Sequence, residues 1–166
     1  MSSICPTLDQ WAEAGWLRRL DAALSAFLAE RDPDAAPAVL VAAAVLSHME
    51  GRGHTCLPLA HVVSPPVALL AGPPEAQAAV HTLWAELPPT LAGWLAALRA
   101  TRVVRDARHD DDQGQPLVLG GSEAAPVLYL RRYWGYECRV ARQLRQRVSE
   151  RVAVNEVVTR TWLDQL

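Results

Sequence analysis

From about residue 8 to residue 30, apolar side chains recur at Leu8, Trp11, Leu17, Leu20, Leu24, Phe27 and Leu28. Their spacing, mostly three and four, predicts a helix with one apolar face. The segment "RDPDAAP", with Pro33 and Pro37, breaks it. Over 37–49 the chain is apolar nearly all round, the pattern of a helix that runs through a core rather than over a surface. Gly51 is expected to stop it, with Gly51 or Gly53 at positive φ.

The middle of the chain is punctuated by prolines in "SPP", "GPP" and "LPP", which leaves room for short helices at roughly 75–86 and 90–100. After Thr101 the period changes. "TRVVRDA", "PLVLGG" and "VLYL" are short β-prone runs separated by "RHDDDQGQ" and "SEAAP", and they predict three short strands. A long helix follows over about 131–151, and a last one begins near Val154. The fold class expected is mainly α: a compact helical domain with a small antiparallel β-meander or hairpin between the central helices and the long C-terminal helix. There is no internal repeat and no low-complexity linker.

Composition narrows the function. With 166 residues, 51% hydrophobic and 20% charged, the chain can bury one sizeable core. A net charge of −2 and a pI near 6.2 exclude a uniformly basic surface for nucleic acid or anionic lipid, so a basic patch must be local. All sixteen basic residues are arginine. A phosphate-binding P-loop needs the lysine of GxxxxGK, and this chain has none. Three widely spaced cysteines, Cys5, Cys56 and Cys138, do not form a disulfide framework. The start "MSSICPTLDQW" is not a signal peptide, and no apolar run reaches the roughly twenty residues of a membrane helix. A soluble, cytoplasmic protein is expected.

Three clusters carry candidate chemistry. "LSHMEGRGHTCLPLAH" holds His48, His54, Cys56 and His61, but without the tight CxxC or HxxxH pairs of structural zinc. A helix end with its loop is preferred to zinc, and zinc to a Cys56–His nucleophile pair. "HDDD", His109 to Asp112, reads as a solvated turn rather than a Mg²⁺ or Ca²⁺ site, since the alternating ligands of an EF-hand are missing. In "RRYWGYECRVARQLRQRVSER", Tyr133, Val140, Leu144, Val148 and Val152 fall on one side at 100° per residue. Arg131, Arg132, Arg139, Arg142 and Arg145 gather on the opposite arc. The first face is expected to be buried. The second is solvated, or contacts nucleic-acid phosphates or a partner's carboxylates.

"LAERDPDAAPAVLVAAAVLSHMEGRGHTCLPL" and "PLVLGGSEAAPVLYLRRYWGYECRVARQL" resemble the N-terminal region of RecD, the alpha subunit of bacterial exodeoxyribonuclease V, the RecBCD complex. Weaker likeness in "WLRRLDAALSAF" extends the resemblance over most of the chain, while residues 62–98 match little. It implies a mainly helical domain that precedes two RecA-like lobes in a 5′→3′ DNA helicase subunit and docks that motor onto RecB-like and RecC-like subunits for double-strand break repair and recombination. With no GxxxxGK, the chain itself is expected to be non-catalytic and to bind no cofactor. ATP and magnesium belong to motor domains that this chain lacks, and DNA is engaged by the complex.

The end of the chain, "VNEVVTRTWLDQL", sets Val154, Val157, Val158, Trp162 and Leu166 at helical spacing with no polar cap behind them. It is read as the start of a connecting helix, 153–166, after a docking domain over 1–152. Arg131, Arg132, Arg139, Arg142, Arg145, Val158 and Trp162 are the expected partner-binding residues. The alternative is a DNA-binding module that uses the arginine face of 131–151.

Overall fold

The helix expected over 8–30 is two helices, α1 (Ile4–Glu13) and α2 (Arg19–Arg31). The structure, a computed structural model, describes residues 4–70, 73–109, 111–150 and 155–165. Between the helices Gly15 takes φ +77°. Its N–H reaches the Ala12 carbonyl at 3.2 Å, and the Trp16 N–H reaches that of Trp11 at 2.8 Å. These two bonds form a Schellman ending, which needs a left-handed residue that glycine supplies without strain. The Trp11 and Trp16 rings, 6.0 Å apart, add the apolar contact that accompanies it.

This break resets the helical phase. Leu8, Trp11, Leu17 and Leu28 are buried as expected, but Leu20 and Phe27 are 61% and 41% exposed. The inward side of α2 carries Asp21, Ala22, Ser25 and Leu28 instead. Two of these are polar, and each has its partners. The Ser25 hydroxyl donates to the Leu40 carbonyl at 2.8 Å, and Asp21 lies in the network described below.

α3 (Pro37–Glu50) is buried from Ala38 to Met49, as its uniformly apolar sequence demands. Pro37 sits in its first turn, where a missing N–H costs nothing. The helix packs against α1 and α2. It ends at Gly51, whose φ is −61°, and Gly53 takes the left-handed turn at φ +89°.

The loop leads into β1 (Cys56–Pro58), a strand inside the histidine and cysteine stretch that the sequence reading missed. Four helices follow: α4 (Ala60–Val63), α5 (Val67–Leu70), α6 (Pro74–Trp84) and α7 (Leu91–Ala100). Two bonds fix their ends. Thr90 caps α7 by accepting the Gly93 N–H at 3.2 Å, and the Trp84 indole donates to the Val62 carbonyl at 2.8 Å.

β2 (Val104–Asp106), β3 (Leu117–Gly121) and β4 (Pro126–Leu130) complete a four-stranded sheet in the order β1-β4-β3-β2. β4 pairs antiparallel with both β1 and β3, but β2 runs parallel to β3. The sheet is therefore mixed rather than the antiparallel meander expected. The "RHDDDQGQ" loop is long enough to return the chain to the end at which β2 began, whereas the short turn after Gly121, at φ +79°, reverses it. α3 also packs on α7, β1 and β4, and so forms the centre of the core.

The chain divides into two compact units, 1–134 and 135–166. The long helix α8 (Arg131–Ser149) starts in the first, and the second holds the rest of it with α9 (Glu156–Leu163). Asn155 caps α9 by accepting the Val158 N–H at 3.2 Å. Among the described residues no helix is long and apolar enough to cross a membrane.

Candidate functional site

The first turn of α8 is anchored to the first unit by side chains at both ends of its arginine pair. Nη2 of Arg131 donates to both carboxylate oxygens of Asp112, at 2.6 and 2.7 Å, a charge-assisted contact of one nitrogen shared between two oxygens. Arg132 donates to Glu50 Oε1 at 2.8 Å, and the Tyr133 hydroxyl donates to the same oxygen at 2.9 Å. These bonds stabilise the ionised acids. The Tyr133 hydrogen bond, aided by Arg132, draws Glu50 below the ordinary carboxylate range, and Arg131 does the same for Asp112. Trp134 then lies edge-on to Tyr129, 5.3 Å between ring centres. It also lies over Gly120, where a Cβ would come within 2.6 Å of the ring.

Arg131 and Arg132 thus hold internal carboxylates, whereas Arg139, Arg142 and Arg145 are exposed in the second unit. The Arg139 guanidinium lies 5.8 Å from the centre of the Tyr136 ring. The opposite arc corrects the sequence reading, because no residue of α8 is buried. Val140, Leu144 and Val148, expected inside, are 54%, 57% and 86% exposed. Tyr133 is half-buried through its bond to Glu50, and Val152 lies outside the described residues. Two helices offer too little apolar surface to enclose a stripe of this length. Tyr136 extends it, so apolar residues stand at every fourth position over 136–148. On α9, Val158 is 50% and Trp162 68% exposed, beside exposed Val157 and Leu163. Long apolar stripes uncovered on a small unit, with arginines on the other arc of α8, have the chemistry of protein–protein contact.

The histidine stretch resolves into separate structural roles. His48, on the last turn of α3, places Nδ1 3.0 Å from the Asp21 carboxylate. His54 lies exposed in the loop, half-buried Cys56 opens β1, and exposed His61 belongs to α4. Among the described residues no three histidine, cysteine or acidic side chains are grouped to hold a metal ion. In "HDDD", Asp112 holds Arg131 and Arg105, the latter at 3.2 Å, while Asp111 accepts from the Gln113 amide at 2.8 Å. Asp110 lies outside the described residues.

The polar network around Asp21 was missed by sequence reasoning. Asp21 is fully buried and accepts from the Arg18 N–H at 2.9 Å, Arg18 Nε at 3.0 Å and the Ser47 hydroxyl at 2.7 Å, besides His48. Burial opposes its charge, but the hydrogen bonds from His48, Arg18 and Ser47 prevail and hold its pKa at about 2. The same Arg18 fork donates to the Ser47 carbonyl in the last turn of α3, which also accepts the Gly51 N–H at 3.2 Å. Arg18 therefore places its positive charge at the negative end of α3 while its backbone N–H, at the start of α2, is held by Asp21. The signal was an acid three residues after a helix start, on the side facing the core.

Among curated proteins no match to this chain is found. The family model described as RecBCD enzyme subunit RecD, N-terminal domain, matches residues 13–123, which takes in α2 to α7, β1 to β3 and the Asp21 network. The chain belongs to the RecD N-terminal domain family.

Proposed function

We propose that the chain is a non-catalytic protein-interaction domain that docks a RecD-like 5′→3′ helicase motor onto its RecB-like and RecC-like sister subunits, for double-strand break repair and recombination. The observation that carries this reading is the uncovered apolar residues of α8 and α9, with Arg139, Arg142 and Arg145 exposed on the other arc of α8. Such a surface is stabilised when another protein removes it from water, at roughly 25 cal/mol per Å² of apolar area. Family membership supports the identity of the partners.

In this reading residues 1–152 form the docking domain and 153–166 the beginning of a connection toward the motor. Arg139, Arg142, Arg145, Val158 and Trp162 contact the partner, and Arg131 and Arg132 set the base of α8. The domain binds neither ATP nor magnesium, which act in the motor lobes, and it works in the cytoplasm. The test is co-purification of this chain, and of its α8 and α9 variants, with the sister subunits. The exposed arginines also support a second reading, direct contact with DNA phosphates, which a steep loss of binding with salt would reveal.

A further inference from the structure

A second apolar surface lies on the first unit, away from the residues just named. On α2, Leu20, Leu24 and Phe27 follow at intervals of four and three, which places them in one row along the helix. Leu20 and Phe27 are 61% and 41% exposed, although Leu28 on the inward side of the same helix is fully covered. Across from this row stand Pro116 and Leu130. Leu20, Leu24, Pro116 and Leu130 line a groove of about 310 Å³. Phe27, Val103 and Pro116 line a second of about 290 Å³. Pro116 lines both, so the two grooves adjoin and together edge α2 as a trough.

The trough has a shape and a charge. From Leu20 to Arg31 it spans about 16 Å of helix axis, room for about three turns of a helix laid alongside. A row of side chains spaced four and three apart presents the ridge and flanking groove into which another helix's side chains fit. Its lining carries four arginines, Arg31, Arg102, Arg131 and Arg132, and one carboxylate, Glu50; Asp32 and Asp112 pair with two of the arginines from just outside it, which leaves an excess of one positive charge. Arg31 rests on the Phe27 ring, 5.1 Å from its centre. The other three are oriented by ion pairs, Arg102 with Asp32, Arg131 with Asp112 and Arg132 with Glu50. The side chains of Arg102, Arg132 and Arg131 are 71%, 56% and 39% exposed. Arginine forks around an apolar floor are complementary to carboxylates flanking an apolar ridge.

We infer that the trough beside α2 receives an acidic amphipathic helix of a sister subunit, with Leu20, Leu24 and Phe27 against its apolar ridge and Arg31, Arg102 and Arg132 against its carboxylates. This rests on the docking reading and adds a second contact, independent of α8 and α9. It is tested with the full chain and RecB-like and RecC-like subunits from the same source. A photo-cross-linking residue is placed at Leu20 or at Phe27, and the linked segment is identified by mass spectrometry. The expected product is a cross-link to a helical segment of a sister subunit with carboxylates beside its apolar face. Leu20→Glu and Phe27→Glu, shown by circular dichroism to keep the fold, should each weaken assembly at least about tenfold. Lysines in place of the segment's acids should have a similar effect. A cross-link to a second copy of this chain, to a basic segment, or to no sister subunit overturns the inference. Failure of the wild-type chain to assemble at all overturns the docking reading as well, so the two are distinguished.

Discussion

The Asp21 carboxylate, fully buried in α2, stands 3.0 Å from Nδ1 of His48 at the end of α3. With Arg18 and Ser47 it forms the polar joint between these two helices. Removal of one partner from a buried charge network is costly, because the remaining groups stay desolvated. Asp21→Ala is expected to lower stability by about 3 kcal/mol, read as a shift in the urea midpoint. A loss under 1 kcal/mol would show that the joint is not a determinant of stability.

The same carboxylate makes stability depend on acid. Its pKa in the fold, about 2, lies below the ordinary value of 3.8, so the unfolded chain takes up its proton first as pH falls. The contribution of Asp21 is fully present above about pH 5 and is lost progressively as pH falls toward 2, on the order of 2 kcal/mol in all. Urea titrations across that range should show this loss, and Asp21→Asn should flatten its share of the slope. Equal slopes in both proteins would remove Asp21 from the account.

Gly51 leaves room for the Arg18 guanidinium. A Cβ at this position would lie 2.0 Å from the Arg18 guanidinium, which is fixed by Asp21 and by the last turn of α3. Gly51→Ala should push the guanidinium off the helix end and cost about 1 to 2 kcal/mol. In the Arg18→Ala background the same substitution should cost little, since the collision is gone. Additive losses in this double-mutant cycle would contradict the arrangement.

Nucleotide should find no purchase on the chain. It has no lysine for a GxxxxGK loop, so calorimetry with ATP and magnesium is expected to show no saturable binding. Micromolar affinity would oppose the non-catalytic reading.

Assembly should depend on the second unit. Arg139→Glu with Arg142→Glu, or Trp162→Ala, is expected to weaken co-purification with the sister subunits by about 2 kcal/mol, roughly thirtyfold, while the circular dichroism of the chain is unchanged. If both variants assemble normally and the double reversal instead abolishes DNA binding, the phosphate-contact reading replaces docking through this face.

The sequence alone determined the features that arise from local pattern. Uniform apolarity over 37–49 required a buried helix, and α3 is one. The prolines and Thr90 delimited α6 and α7, β-branched runs marked β2 to β4, and distinctive strings pointed to the RecD family before the family match. Tertiary structure decided what depends on partners distant in sequence. A Schellman turn at Gly15 rotated α2, so Leu20 and Phe27 face out while Asp21 and Ser25 face in, which is tolerable because Arg18, Ser47 and His48 hydrogen-bond Asp21 and the Ser25 hydroxyl donates to the Leu40 carbonyl. β1 exists because β4 pairs with it, and its three residues carry no period of their own. Val140, Leu144 and Val148 form a regular stripe, but periodicity marks only the side a helix can bury; whether it is buried depends on the surface that meets it.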